Sequence, residues 1–259
     1  MSIVISALHF DWPDIPGCFQ RVKGELGLDG VELSWHESFE RPHCTREDME
    51  ALRALKGQTG LILASHIWED PARLGPGPAE EALLRWLELC GATGVSGLVV
   101  HGGSYDDQKQ GIARTRTILQ NVLPAFEKAG VTLNVENHYA YDYQNGHELF
   151  SQPWEFQEIF SLDSPALKFC FDTGHGHMTR NWRRLLGELG TRLNHVHLAD
   201  NRGRDDDHLM FREGTAPWDD IFDELAEIGY EGTFCVEFPV REDMEPFHSC
   251  VLELHKYGW

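Results

Sequence analysis

Residues 193–208 read LNHVHLADNRGRDDDH. The first six have the length and alternation of a β-strand, with Val196 and Leu198 on one face and His195 and His197 on the other. A loop with four aspartates and a third histidine follows. Alone, the stretch reads equally well as a solvated acidic loop or as one wall of a metal site. The choice depends on what the rest of the chain brings to the same place.

Short apolar runs, each followed by a polar loop and then a helical pattern, recur along the chain. They are IVISALHF from Ile3, GVELSW from Gly30, GLILASH from Gly60 and GLVVH from Gly97, then VTLNVE from Val131, LKFCFD from Leu167, LNHVHL from Leu193 and TFCVEF from Thr233. Between them lie amphipathic stretches that close on glycine, such as TREDMEALRALKGQTG, PAEEALLRWLELCGATG and WDDIFDELAEIGYEG. The first of these opens with Thr45 and Asp48 at capping-box spacing. Strand and helix signals in alternation imply right-handed βαβ units and a parallel sheet. Eight units predict one (β/α)8 barrel, a single domain over residues 1–259. An open doubly wound sheet would normally carry a glycine-rich phosphate turn after its first strand, and HFDWPDIPG is not one.

Composition limits the partners. There are 42 acids against 22 bases, for a formal charge of −20, and no run of Lys or Arg. Such a surface repels nucleic acid and anionic lipid. No apolar run approaches a membrane span, and the start lacks a basic leader, so a cytoplasmic protein is expected. The six cysteines form no C-x-x-C pair and read as reduced, mostly buried thiols. A homo-oligomer is left open.

The ends of the runs carry the chemistry. His66 closes the third, His101 the fourth, Glu136 the fifth, Asp172 the sixth, His197 the seventh and Glu237 the eighth. In a parallel barrel these are C-terminal ends that converge on one mouth. One histidine there is usually structural. Three carboxylates facing one cavity, with few cations beside them, are another matter: they repel, and a divalent ion is the simplest remedy. His175, Asp206 and His208 in the adjoining loops are further metal or substrate candidates. His138, His177 and His195 are read as supporting or solvent-facing, and Glu32 as a structural interior acid.

The segments VVHGGS, NVENH, FDTGHGHM, HVHLADNRGRDDDH and GTAPWDDIFDELAEIGYEGTFCVEF, with LGLDGVELSW on the second strand, resemble the xylose-isomerase-like superfamily. That superfamily includes sugar isomerases and epimerases and the endonuclease IV class. The likeness to ketose 3-epimerases implies one metal held by Glu136, Asp172, His197 and Glu237. The likeness to endonuclease IV implies three zinc ions on nine ligands, matched in type by those four with His66, His101, His175, Asp206 and His208. The acidic charge, Gly174 in the sixth-strand motif and LADNRG in the next loop depart from the nuclease pattern.

The expectation is therefore a divalent-metal-dependent isomerase or epimerase acting on a sugar or sugar derivative. A nuclease, or a dehydratase or lyase, is the alternative. Mixed His and carboxylate ligands suit Mn2+, Co2+ or Zn2+ better than Ca2+, with Mg2+ left open. Glu136 and Glu237 are expected to move the proton α to the carbonyl. Asp206 and His208 are expected to fold back over the mouth, Asp200 and Arg202 to face substrate, and Trp35 and Trp68, with Phe238, to wall its carbon face.

Overall fold

The computed structural model of the chain describes residues 1–9, 15–35, 46–140 and 147–259. Eight parallel strands close into a barrel: β1 (Ser2–Ser6), β2 (Gly30–Trp35), β3 (Ile62–Ile67), β4 (Gly97–Val100), β5 (Thr132–Glu136), β6 (Leu167–Asp172), β7 (Leu193–Leu198) and β8 (Thr233–Val236). Each pairs with its neighbours in chain order, and β1 closes the ring on β8 with Ser2 opposite Thr233. All eight expected strands are present. The ends differ by a residue or two where a run began in a turn glycine, as at Gly60, whose φ of 72° ends the preceding helix, and the first run leaves the sheet at Ser6 for a 3-10 turn over Ala7–His9.

The strands form where they do because both faces are covered. The outward face packs on the helices and the inward face fills the barrel, so apolar residues run almost continuously, as in SIVIS. The helical layer contributes Trp86, Phe126, Phe156 and Phe222, all fully buried. Their helices are α4 (Pro78–Thr93), α5 (Gln108–Ala129), α6 (Pro153–Phe160) and α9 (Trp218–Glu227). Start signals are local. Pro78 opens α4 at a position that has no partner for an amide in any case. Asp107 caps α5 by accepting from the Gln110 amide at 2.9 Å. Gly30 is required by packing, since a Cβ there would lie 2.2 Å from the Ile62 carbonyl oxygen on β3.

Two features fall outside the sequence reading. A two-stranded antiparallel pair, Ser104–Tyr105 with His147–Glu148, lies apart from the barrel sheet. The seven-residue helix α7 (Thr173–Thr179) follows β6 directly, and Asp172 caps it by accepting from the His175 amide at 2.6 Å. The capping residue Thr45 lies outside the described residues, as do Cys44 and the side chain of Trp35. Cys90, Cys170, Cys235 and Cys250 are free thiols, and these four and Cys18 are buried. Among the described residues no helix is long and apolar enough to cross a membrane.

Candidate active site

Period-two alternation decides which strand residues enter the barrel. On β7 it sends His195 and His197 inward. The register sets His197 between Asp172 of β6 and Cys235 of β8. Glu136 ends β5 opposite Cys170, and Glu237 follows β8, its amide bonded to the Leu198 carbonyl at 3.0 Å. Glu136, Asp172, His197 and Glu237 are each 3% exposed or less.

The four converge. His197 Nδ1 lies 2.9 Å from Glu237 Oε2, 3.3 Å from Glu136 Oε1 and 4.0 Å from Asp172 Oδ2. One donor atom from each of the four lies within 4.8 Å of the others. The glutamates' second oxygens turn toward His66: Glu136 Oε2 is 3.4 Å from its Nε2, and Glu237 Oε1 is 3.7 Å from its Nδ1. His101 Nε2 approaches Glu136 Oε2 at 3.4 Å. Each glutamate thus offers one oxygen to the His197 corner and one to the His66 side.

The loop after β7 returns to the mouth. An isolated bridge joins Asp200 and Leu209, and the turn between them brings Asp206 and His208 over the opening. Asp206 Oδ2 sits 3.3 Å from both His175 Nε2 and His208 Nε2, and His208 Nδ1 lies 2.7 Å from the Glu237 carbonyl oxygen. Six strand-end groups and three loop groups therefore share one end of the barrel. His66, His101, Glu136, Glu237, His175, Asp206 and His208 border a cavity of about 280 Å³ with Leu8, Trp68, His138, Tyr139 and Glu148, and Asp172 and His197 lie beneath it.

Charge is unbalanced here in a way that fits a cation. Both Glu136 oxygens and His197 Nδ1 are buried without a well-aligned hydrogen bond, as are His66 Nε2 and His101 Nε2. Burial opposes ionisation of Glu136, but the imidazoles of His197, His101 and His66 outweigh it and hold the carboxyl well below its ordinary range. Glu237 follows the same pattern, through His197 and His66. Asp172 goes the other way, to about 7, because burial dominates and Glu136, Glu237 and Asp206 repel its charge against the pull of His175. His197 is pushed well above its usual value, since Cys170 and the carboxylates of Glu237, Glu32 and Glu136 overcome its burial. Oxygen and imidazole donors in this proportion suit Mn2+, Co2+ or Zn2+.

Three expected substrate contacts are placed elsewhere. Asp200 is fully buried and turned away. Its carboxylate accepts from the amides of Gly214 (3.0 Å) and Ala216 (3.0 Å) and from Trp218 Nε1 (2.9 Å). It anchors the returning loop and has no lone pair directed at the cavity. Arg202 is exposed and stands 4.0 Å from Asp207. Phe238 is fully buried in the core. Trp68 does line the cavity, its ring 6.1 Å from that of His66. His177 reaches out to Thr215 Oγ1 at 2.9 Å. Tyr139, Glu148, Glu69 and Asp70 border the cavity without having been singled out. Glu69 and Asp70 follow β3 closely enough that a strand-end search extended by three residues finds them, whereas Glu148 sits on a strand too short to show periodicity.

The anchoring role of Asp200 gives an expected result. Asp200→Ala leaves the amides of Asn201, Gly214 and Ala216 and the buried Trp218 indole N–H without this acceptor, at about 1–3 kcal/mol for each that water does not relieve. Thermal unfolding should show a loss on the order of 3 kcal/mol; an unchanged melting temperature would exclude the anchor.

The chain belongs to the xylose isomerase-like TIM barrel family, whose model matches residues 19–249. An uncharacterized protein of Methanocaldococcus jannaschii is 37% identical over 82 residues, which is 30% of this chain and 28% of that relative's length. The D-psicose 3-epimerase of Enterocloster bolteae is 24% identical over 228 residues, covering 82% of this chain and 73% of that enzyme. The crystal structure of a D-tagatose 3-epimerase-like protein has a TM-score of 0.85 at 21% identity, covering 100% of this chain and 98% of the other. At that identity the structural likeness shows the shared barrel.

Proposed function

We propose that this protein is a divalent-metal-dependent sugar epimerase or isomerase that transfers a proton α to a carbonyl. The observation that carries this reading is the pair of buried glutamates, Glu136 and Glu237, each split between the His197 corner and the His66 side. Glu136, Asp172, His197 and Glu237 would hold the ion. When bound, it would supply Lewis-acid stabilisation of the charge that develops on the sugar oxygens. The matched relative is named a D-psicose 3-epimerase, which favours a ketose and the carbon next to its carbonyl.

The residues divide the remaining work. One ionised glutamate takes the α-proton on its cavity-side oxygen, and the other, first protonated from solvent, gives that proton to the carbon from the opposite side, which inverts it; loss of the abstracted proton to solvent resets the pair. Return to the neighbouring carbon by the first would give an aldose–ketose exchange. Trp68 offers an apolar face to the sugar's carbon skeleton, and burial at the mouth limits competing water. No Lys or Arg borders the cavity among the described residues, which favours an uncharged sugar over a sugar phosphate.

One specific observation favours a second reading. His66, His101 and Glu136 bring their donor atoms within 4.8 Å of one another, beside the four-ligand group, and Asp206 bridges His175 and His208. Three ions could be held, as in a phosphodiester-cleaving centre. The charge of −20 opposes a nucleic-acid substrate. Incubation with D-tagatose or D-psicose and Mn2+ in deuterated water tests the first reading. Deuterium at the epimerised carbon is expected; nicking of abasic DNA by a three-zinc form, without sugar turnover, would replace it.

A further inference from the structure

We propose that Glu32 is a positioning residue that fixes His197 with Nδ1 toward the mouth and thereby sets how tightly the ion is held. This rests on reading the four-residue group as a metal centre. Glu32 lies on β2 inside the barrel and is fully buried, out of reach of any substrate. Its Oε2 lies 2.9 Å from His195 Nε2, and its Oε1 lies 3.2 Å from His197 Nε2. Cys235 donates its thiol to the same Oε1 at 3.4 Å. Three donors from two strands thus end on one carboxylate.

The consequence is geometric. An imidazole has two nitrogens, and only an unprotonated one binds a metal. With Nε2–H given to Glu32, the sole lone pair left on His197 is that of Nδ1, which faces Glu237, Glu136 and Asp172. A carboxylate behind a ligating imidazole also raises its basicity, and losing such a partner typically costs 10–100-fold in metal affinity. His195, two residues below His197 on the same face, lies against the same Oε2 that His197 Nε2 approaches at 3.3 Å. Its contact helps keep the carboxylate from turning away in a fully buried site.

Glu32, His195, His197 and Cys235 also lie close enough to surround an ion of their own. Attraction between the His195 ring and the Glu32 carboxylate accounts for their 2.9 Å approach without one. An ion there as well as at the mouth would require His197 to surrender both ring protons.

The test uses the full chain loaded with zinc. Glu32→Gln keeps the size and one acceptor oxygen but removes the charge and the second acceptor. Competition with a chelator should show the zinc dissociation constant rising 10–100-fold. In wild-type protein labelled with 15N in its histidine rings, NMR should place the His197 proton on Nε2, in a hydrogen bond. In Glu32→Gln the hydrogen-bonded Nε2–H signal of His197 should shift or disappear. Zinc ligated through His197 Nε2 in the wild type would overturn the proposal without reference to the variant. So would Glu32→Gln with wild-type zinc affinity, or a variant that loses one inner ion while the mouth keeps its own. Absence of zinc binding in the wild type would instead reject the metal-centre reading beneath it.

Discussion

Glu136→Gln and Glu237→Gln should each suppress deuterium uptake into a turned-over ketose, with rates falling about 10²–10⁴-fold at saturating Mn2+. Gln matches Glu in volume, so the mouth keeps its shape. It cannot take a proton at the cavity-side oxygen, and removal of a positioned acid–base group generally costs about 10²–10⁴-fold. Each side chain is also a proposed ligand, so the assay must be run over a range of metal concentrations. A deficit that persists at saturation separates lost proton transfer from lost metal. If the two glutamates serve opposite sides, the variants should also differ when started from the two epimers: each should fail at a different half of the exchange. Normal exchange in either variant would remove that residue from the mechanism.

The second large effect concerns stability. Saturating Mn2+ at about 1,000 times its dissociation constant should stabilise the folded protein by about 4.1 kcal/mol. For a chain of this size that is on the order of 10 °C in melting temperature. The ion relieves the mutual repulsion of Glu136, Asp172 and Glu237, which burial keeps from being screened. His197→Gln removes the nitrogen on which they converge and should abolish the shift. The effect should grow with pH. In the ion-free protein the Asp172 carboxyl is raised to about 7, so at pH 6 it is mostly protonated and the ion must displace that proton. At pH 8 it is ionised and binding no longer carries that cost. His197, held cationic by its carboxylate neighbours, acts in the same direction. A shift that is larger at pH 6 than at pH 8 would contradict this assignment.

The barrel was legible because each strand is an apolar run of the right length, bounded by a polar turn and then a helical pattern. The gathering of His66, Glu136, Asp172, His197 and Glu237 at one mouth was legible for a related reason. Strand direction is uniform in such a fold, and the last inward position of each strand can be counted from its end. Asp200 shows where counting stops. Its loop is rich in ionisable groups, and nothing local says that its partners are two amides and an indole 14 to 18 residues further on. Arg202, on the same loop, was assigned by proximity in sequence and stands in solvent instead. Glu32 was read as an interior acid, but its link to His195 and His197 spans more than 160 residues and depends on the ring closing. The pair formed by Ser104–Tyr105 and His147–Glu148 is too short for any periodic signal.

The central claim is that Glu136, Asp172, His197 and Glu237 close around one divalent ion. Crystals grown with Mn2+ and measured near the manganese absorption edge test it directly. The expected result is an anomalous peak enclosed by these four side chains, within direct bonding distance of the carboxylate oxygens and of His197 Nδ1. No peak at the mouth, or an ion bound elsewhere with these side chains left to one another, would contradict it.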